Sequence, residues 1–432
     1  MDHLGLDLGT TTISAAVLDA DGRLLCTRTV PGGAAVAGQP WERKQDARGI
    51  EHAALSLLDG LLQEFPDIGC VGLTGQMHGI VYVDAAGQLL SPLYTWQDET
   101  GAQPGPDGKS TAARLTARTG YPLASGYGLV TLACHQAAGT IPDGAAAVCT
   151  IADYLAMRLS GRSAPCLTPS MAASLGLFDG TGFDREAVRR AGLPERLLPE
   201  VSEEAELGGG RLRVFAALGD NQASFLGAGH GRLDAPLVNI GTGSQFSFFT
   251  KERRTVPGLE TRPFPGGWLL TGAPLCGGRS FALLERFFRQ TAELVTGTPC
   301  PSASPAMLRA LEAPMPDDVP QFRTTFAGTR QDPAERAVLS GLDEENFAPV
   351  PLLHALLRGM ADELSACYRA ALKAGCAPAG RLLGSGNGLR RNPALQRAVE
   401  RSFGLPLTLA AVPEEAACGA ALFTRMQHEA AL

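Results

Sequence analysis

One short pattern occurs twice in this chain, and it constrains the fold more than any other feature. Leu4-Gly5-Leu6-Asp7-Leu8 alternates as a strand, Gly9-Thr10-Thr11-Thr12 makes a tight turn, and Ile13 to Leu18 returns as a second strand. The same order begins again after mid-chain: Pro236 to Ile240, then Gly241-Thr242-Gly243-Ser244, then Gln245 to Phe249. The first turn alone reads more readily as a plain hairpin. Two of them predict a duplicated architecture whose hydroxyl-rich turns present N–H and O–H groups to an anion. At 432 residues the chain is also too long for one core, since single cores rarely exceed ~250–300 residues.

Between the two hairpins, Val214 to Leu218 is an apolar run that reads as a buried strand, released by Gly219. Ala223 to Ala228 then begins an apolar helix. Asp220 therefore falls at a strand end beside a helix start, where open α/β sheets place ligands. The alternative is that Asp220 is only an N-cap.

The other expected elements alternate in type, which predicts an α/β fold. A third strand covers Arg23 to Val30, a helix Ile50 to Phe65, and strands Gly69 to Leu73 and Ile80 to Val83. Helical spacing recurs at 111–119, 129–138, 152–159, 279–290 and 352–374. Pro199 to Gly210 is expected to be a surface connection, and Thr296 to Pro320, rich in proline, an irregular excursion. Arg381-Leu382-Leu383 is a strand running into Gly384-Ser385-Gly386-Asn387-Gly388. Asn392 is placed to cap a following helix with Pro393 at its first position. A small-residue helix from Pro413 is suited to tight packing.

Two polar sites stand out among these elements. Gln76-Met77-His78 lies between two apolar strands, and Tyr94-Thr95-Trp96-Gln97-Asp98 brings an aromatic ring and an acid together. Sugar hydroxyls need acceptors and a ring face covers C–H groups, so the second cluster suits a sugar; a lone His78 is more often a satisfied structural residue. Gly108-Lys109-Ser110 is a partial phosphate-loop match, rejected because Gln103 stands where the first glycine belongs and no strand precedes it. A dinucleotide fingerprint after Leu383 fails too, with Leu389 at its third glycine.

Composition narrows the class. A net charge of -7 argues against nucleic acid as main partner. The ten cysteines include no C-x-x-C, so reduced, mostly buried thiols are expected. With no apolar run of ~18 residues and no leader pattern, a soluble cytoplasmic protein without membrane partners is expected. The oligomeric state is left open, a homodimer included.

Taken in order, the motifs resemble those of the FGGY carbohydrate kinases, within the actin-like ATPase superfamily. Asp7 to Thr11 is similar to the family's first phosphate motif and Gly241 to Ser244 to its second. Leu383 to Asn387 is similar to its adenosine motif, and Gly219-Asp220-Asn221 to the segment carrying its catalytic aspartate. The resemblance implies two ribonuclease-H-like domains, 1–218 and 219–432, flanking a catalytic cleft that closes on sugar. It implies ATP and Mg2+ as cofactors, Asp220 as base, and Asp7 and Asp220 as metal ligands. Gly9, Thr10, Thr11 and Thr12 with Gly241, Thr242, Gly243 and Ser244 would cradle phosphates, and Gly384, Ser385, Gly386 and Asn387 would meet adenosine. Gln76, Met77, His78, Trp96, Asp98 and Asn221 would contact sugar. Gly75 to Gly79, Thr95 to Asp98, Leu218 to Ser224 and Met171 to Ser174 resemble the ketose kinases. They imply a ketose acceptor, sedoheptulose before xylulose. Ser14 departs from the family, which commonly has Lys or Arg there, so another cation or magnesium alone would meet the nucleotide phosphates. A heat-shock-type or filament-forming ATPase would share the phosphate turns but needs no sugar pocket. A sugar sensor that has lost activity would share the pocket, but Asp7 and Asp220 argue against it.

Overall fold

The expected hairpins are present, each as part of a larger mixed sheet. The computed structural model describes residues 1–208, 210–275, 277–329, 332 and 334–430. By packing, these fall into two compact units: Met1–Gly231 with Pro263–Pro265 and Val412–Leu432, and Arg232–Arg262 with Gly266–Ala411. The Asp220 helix thus packs within the first unit.

In the first unit, strands Asp2–Leu8, Thr12–Leu18 and Leu24–Pro31 form an antiparallel meander. Asp2–Leu8 also pairs in parallel with Ile68–Gly75, which in turn pairs in parallel with Arg213–Phe215. The expected strand 214–218 is broken: Ala216 and Ala217 leave the ladder, and Leu218–Gly219 rejoins it as a separate short strand on Ile68–Gly75. The 199–210 stretch is not merely a connection, because Glu206–Gly208 adds an edge strand against Arg213–Phe215. Its charged residues masked a strand that buries little more than Leu207.

The second unit repeats the plan. Gly267–Gly272, Ser244–Thr250 and Leu237–Ile240 are antiparallel neighbours. Leu237–Ile240 pairs in parallel with Leu382–Ser385, and that strand with Leu407–Leu409. Each unit therefore has an antiparallel meander extended by parallel strands, and each has its own apolar core.

The helices follow local chemistry. Ala47–Glu64 starts at Asp46, whose carboxylate accepts from the Arg48 N–H, and buries Ile50, Ala54, Leu58 and Leu61 on one face. Asn392 caps Pro393–Phe403 as expected, accepting from the Leu395 N–H at 3.1 Å. The proline-rich 296–320 stretch does contain a helix, Ser304–Ala310, with proline in its first turn. Within the first unit, the helices Asp220–Ala228 and Glu415–Ala430 meet backbone to backbone. A Cβ on Gly419 would lie 1.8 Å from the Ala223 carbonyl oxygen, and one on Gly227 1.9 Å from that of Glu415. Glu415–Ala430 also covers the first strand, where a Cβ on Gly5 would lie 1.9 Å from the Ala417 carbonyl oxygen. Small residues are required at each of these crossings.

The nine described cysteines are free thiols and none is exposed; Cys276 lies outside the described residues. Among the described residues no helix is long and apolar enough to cross a membrane. Gly108 and Lys109 form an exposed turn and Ser110 caps the next helix through the Ala113 N–H, as rejection of a phosphate loop requires.

Candidate active site

Strand register brings the separate motifs of the first unit to one place. Asp7 lies opposite Ser14 on one side and Thr74 on the other, and Leu8 lies opposite Gly75. Gly219 flanks Gly75 from the far side. Three parallel strands thus end together, leading respectively into the Gly9–Thr12 turn, the Gln76–His78 turn and Asp220. The clustering is tight: Met77 sulfur and methyl would lie 2.9 Å from a Cβ on Gly219. This is the carboxyl edge of a sheet, where helix starts and loops can converge on a ligand.

Asp220 is the first residue of its helix, and Gly219 occupies the cap position with no side-chain cap bond. The capping alternative therefore does not describe this helix. Asp7 is pushed up to about 7, first by burial and then by the negative charges of Asp220 and Glu414. A partly buried carboxylate repelled by other carboxylates is a place that favours a cation. Among the described residues no set of three or more His, Cys, Asp or Glu side chains is gathered as a metal cage. Magnesium needs none, since it keeps much of its water and takes one or two carboxylates.

Ser14, where a basic residue is commonly found, is buried, and its hydroxyl is 3.1 Å from that of Thr29. Thr29 in turn donates to Glu414 at 3.4 Å. This position carries no positive charge toward Asp7.

The polar turn after the central strand is built around His78, which holds a left-handed φ of 73°. Its N–H donates to the Ser174 hydroxyl at 3.2 Å, and its Nδ1 lies 2.7 Å from the Ser174 carbonyl oxygen. A carbonyl only accepts, so Nδ1 carries the hydrogen and, in the neutral ring, Nε2 is the acceptor. Tyr127 stacks on the imidazole at 4.7 Å, fixing its plane. Gln76 is buried, its Nε2 donating to Gln45 Oε1 at 2.9 Å. The Thr74 hydroxyl, Gln76 Oε1 and Gln222 Oε1 are buried and lack a hydrogen-bond partner. Such atoms cost stability unless something joins them.

Trp96 is 47% exposed and its indole N–H donates to the Thr10 hydroxyl at 3.1 Å, linking the aromatic loop to the first turn. Asp98, the acid expected to face sugar, is held within its own loop. It is 2% exposed, and its two oxygens accept from the Arg43 and Thr100 N–H groups at 3.0 and 2.9 Å. Its visible work is to brace the Trp96 loop. Gly126 backs that loop: a Cβ there would lie 2.0 Å from the Trp96 carbonyl oxygen, and its φ is 83°. Asn221 is buried beside Asp220.

The remaining expected site residues lie together in the second unit. The Gly241–Ser244 turn is held by Gly278 and Arg279 N–H groups donating to the Gly241 and Thr242 carbonyls at 2.8 and 3.0 Å. Asn239 pairs with Ser385, and Gly386, at a φ of 87°, leaves no room for a Cβ against the Ile240 carbonyl. Asn387 then starts the short helix Asn387–Arg390. The second phosphate-like turn and the Gly384–Asn387 stretch are thus adjacent, and Ser385 Oγ is buried there with no partner.

Sequence reasoning missed Gln45, Tyr127 and the backing role of Ser174. Nothing in local spacing marks them, although Ser174 closes the quoted Met171–Ser174 segment.

The chain matches known proteins along nearly its whole length. The N-terminal domain profile of the FGGY family of carbohydrate kinases matches residues 3–234, and its C-terminal domain profile matches 237–428. A sedoheptulokinase from Mus musculus is 29% identical, the match covering 97% of this chain and 96% of that protein. A xylulose kinase from Streptomyces coelicolor is 26% identical over 97% of this chain and 86% of its own. The crystal structure of xylulose kinase from Rhodospirillum rubrum superposes with a TM-score of 0.81 at 22% identity, covering 99% of this chain and 90% of that one. That agreement is one of fold, the two-domain ribonuclease-H-like architecture of the sugar kinases. With both halves matched in order, the chain belongs to the FGGY family of carbohydrate kinases.

Proposed function

We propose that this carbohydrate kinase transfers the γ-phosphoryl group of ATP to a terminal hydroxyl of a ketose, sedoheptulose before xylulose, giving sedoheptulose 7-phosphate from the first. The observation that carries the reading is the convergence of Asp7, the Gln76–His78 turn and Asp220 at three adjoining strand ends. The near full-length likeness to sedoheptulokinases supports the choice of sugar.

In this reading Asp220 accepts the proton of the attacking hydroxyl. Asp7, with Asp220 beside it, would hold magnesium; the raised affinity of Asp7 for a proton fits a group suited to a cation. Magnesium ATP supplies the phosphoryl group and offsets the carboxylate charges. Gly9, Thr10, Thr11 and Thr12 are phosphate contacts, as are Gly241, Thr242, Gly243 and Ser244, and Gly384, Ser385, Gly386 and Asn387 are adenosine contacts. Gln76, Met77, His78, Trp96 and Asn221 meet sugar, His78 as an acceptor through Nε2. Asp98 meets sugar too, from the loop it braces. A cytoplasmic location is part of the same proposal.

A coupled ADP-release assay over ketoses, aldoses and polyols tests it. Sedoheptulose is expected to show the highest kcat/KM and xylulose the next. Glycerol or an aldose as the best acceptor would refute the ketose assignment and leave the family untouched.

A further inference from the structure

Gln45 belongs to none of the motifs, yet it stands between two of them. Its Nε2 donates to the Thr10 carbonyl oxygen at 2.7 Å and to the Gly33 carbonyl oxygen at 3.2 Å. Both partners can only accept, so the amide nitrogen of Gln45 must face them and its oxygen must face Gln76. Gln76 answers with its own nitrogen, donating to Gln45 Oε1 at 2.9 Å. The amide of Gln76 therefore cannot turn over without setting oxygen against oxygen. Its Oε1 is left as a bare acceptor on a side chain only 4% exposed.

We propose that Gln45 is a positioning and specificity-determining residue: it fixes Gln76 as a hydroxyl acceptor and ties that acceptor to the first phosphate turn. The inference rests on the reading of this site as a sugar site. An acceptor of fixed orientation selects for a group that carries a hydrogen. A sugar hydroxyl satisfies it; a keto oxygen, an ether oxygen or a deoxy carbon does not. Gln76 thus reads a hydroxyl of the ketose and not its carbonyl. A hydroxyl donating to Gln76 Oε1 also polarises the two amides in series, strengthening the bond that ends on Thr10. The Thr10 hydroxyl is held at the same time by the Trp96 indole. The carbonyl and hydroxyl of Thr10 are thus held from the sugar side, which orients the turn's N–H groups, so sugar binding should tighten nucleotide binding.

The test compares wild type with Gln45→Met on the accepted sugar and its singly deoxygenated analogues. In wild type, one deoxy position should lower kcat/KM by roughly 10–100-fold, the effect of leaving a buried partner unpaired. In Gln45→Met that one penalty should shrink to within about 3-fold while the penalties at other positions persist. Sugar should also cease to lower the KM for ATP. An equal loss on all analogues, with the position-specific penalty intact, would make Gln45 purely structural and overturn the proposal. Side-chain amide signals of the 15N-glutamine-labelled wild-type protein give a readout that needs no variant. The Gln45 and Gln76 N–H2 hydrogens should exchange slowly before sugar is added. Rapid exchange of either would overturn the fixed orientation, whereas a wild-type protein that phosphorylates no sugar would overturn the substrate reading alone.

Discussion

At the scale of single residues, two carboxylates carry the strongest expectations. Asp220→Asn removes a base without altering size, so turnover should fall by ~10²–10⁴-fold with the KM for sugar nearly unchanged. Near-normal turnover in the folded variant would show that Asp220 is not the base. Asp7 makes a prediction about stability. Its pKa is near the ordinary carboxylate value when unfolded and about 7 when folded. Between those values the folded protein binds more protons, so stability falls as pH rises, and the full penalty is present above pH ~7. Asp7→Asn removes that penalty. Its melting temperature should match wild type near pH 4 and exceed it increasingly toward pH 7, with no further gain above. Each kcal/mol of relief reads as roughly 2–4 °C in a unit of this size. Magnesium should raise the wild-type melting temperature at pH 8 and leave that of Asp7→Asn unmoved. Asp220 stood out in the sequence because it follows an apolar strand and Gly219, and Asp7 because the Asp7–Thr11 stretch resembles a family phosphate motif. Gln45 and Tyr127 were not, since their importance comes from partners far away in the chain that no local period announces. The backbone N–H groups of Arg43 and Thr100 that hold Asp98 were not foreseen either.

At the scale of elements, hairpins and capped helices were readable because period, turn chemistry and caps agree. The failures came where an element is short or weakly patterned. Ala216-Ala217 looks like strand interior yet forms a break, and Glu206–Gly208 is too charged to announce an edge strand. Tight packing was foreseen for the small-residue helix from Pro413, though not its crossing with Asp220–Ala228, and the closeness of that crossing can be tested. Gly419→Val should cost at least the ~1–3 kcal/mol typical of overpacking, measured by urea unfolding, because the obstructing atom is backbone and cannot move aside. Turnover should fall further than stability alone explains, since the strained helix begins at Asp220. A variant as stable as wild type would mean that the two helices slide apart freely. Gly126→Ala tests the aromatic loop in the same way. It should raise the KM for sugar by displacing Trp96 while the KM for ATP changes less, and equal effects on both would argue that the loop serves the nucleotide.

At the scale of the whole molecule, two units with separate cores need not unfold together. Every proposed sugar contact lies in the first unit. Sugar at 100 times its dissociation constant should therefore stabilise that unit by about 2.7 kcal/mol. Hydrogen exchange should slow within residues 1–231 and 412–430 and stay unchanged in the second unit when sugar is added without nucleotide. Protection confined to the second unit would misplace the sugar site. The duplicated sheet plan was readable from its two turns, but the return of the late helix Glu415–Ala430 to the first unit was not, because nothing in a sequence says which surface a small-residue helix will cover. That return has a consequence for how the protein is made. A ribosome delivers the chain in order, at roughly 5–20 residues per second. The unit that holds Asp7 and Asp220 must wait, with the flank of its first strand uncovered, until residues 415–430 emerge. The second unit, lying wholly between, can fold beforehand. Nascent chains halted before residue 415 should accordingly be inactive, open to protease in their first half, and dependent on chaperones for as long as the last helix is missing.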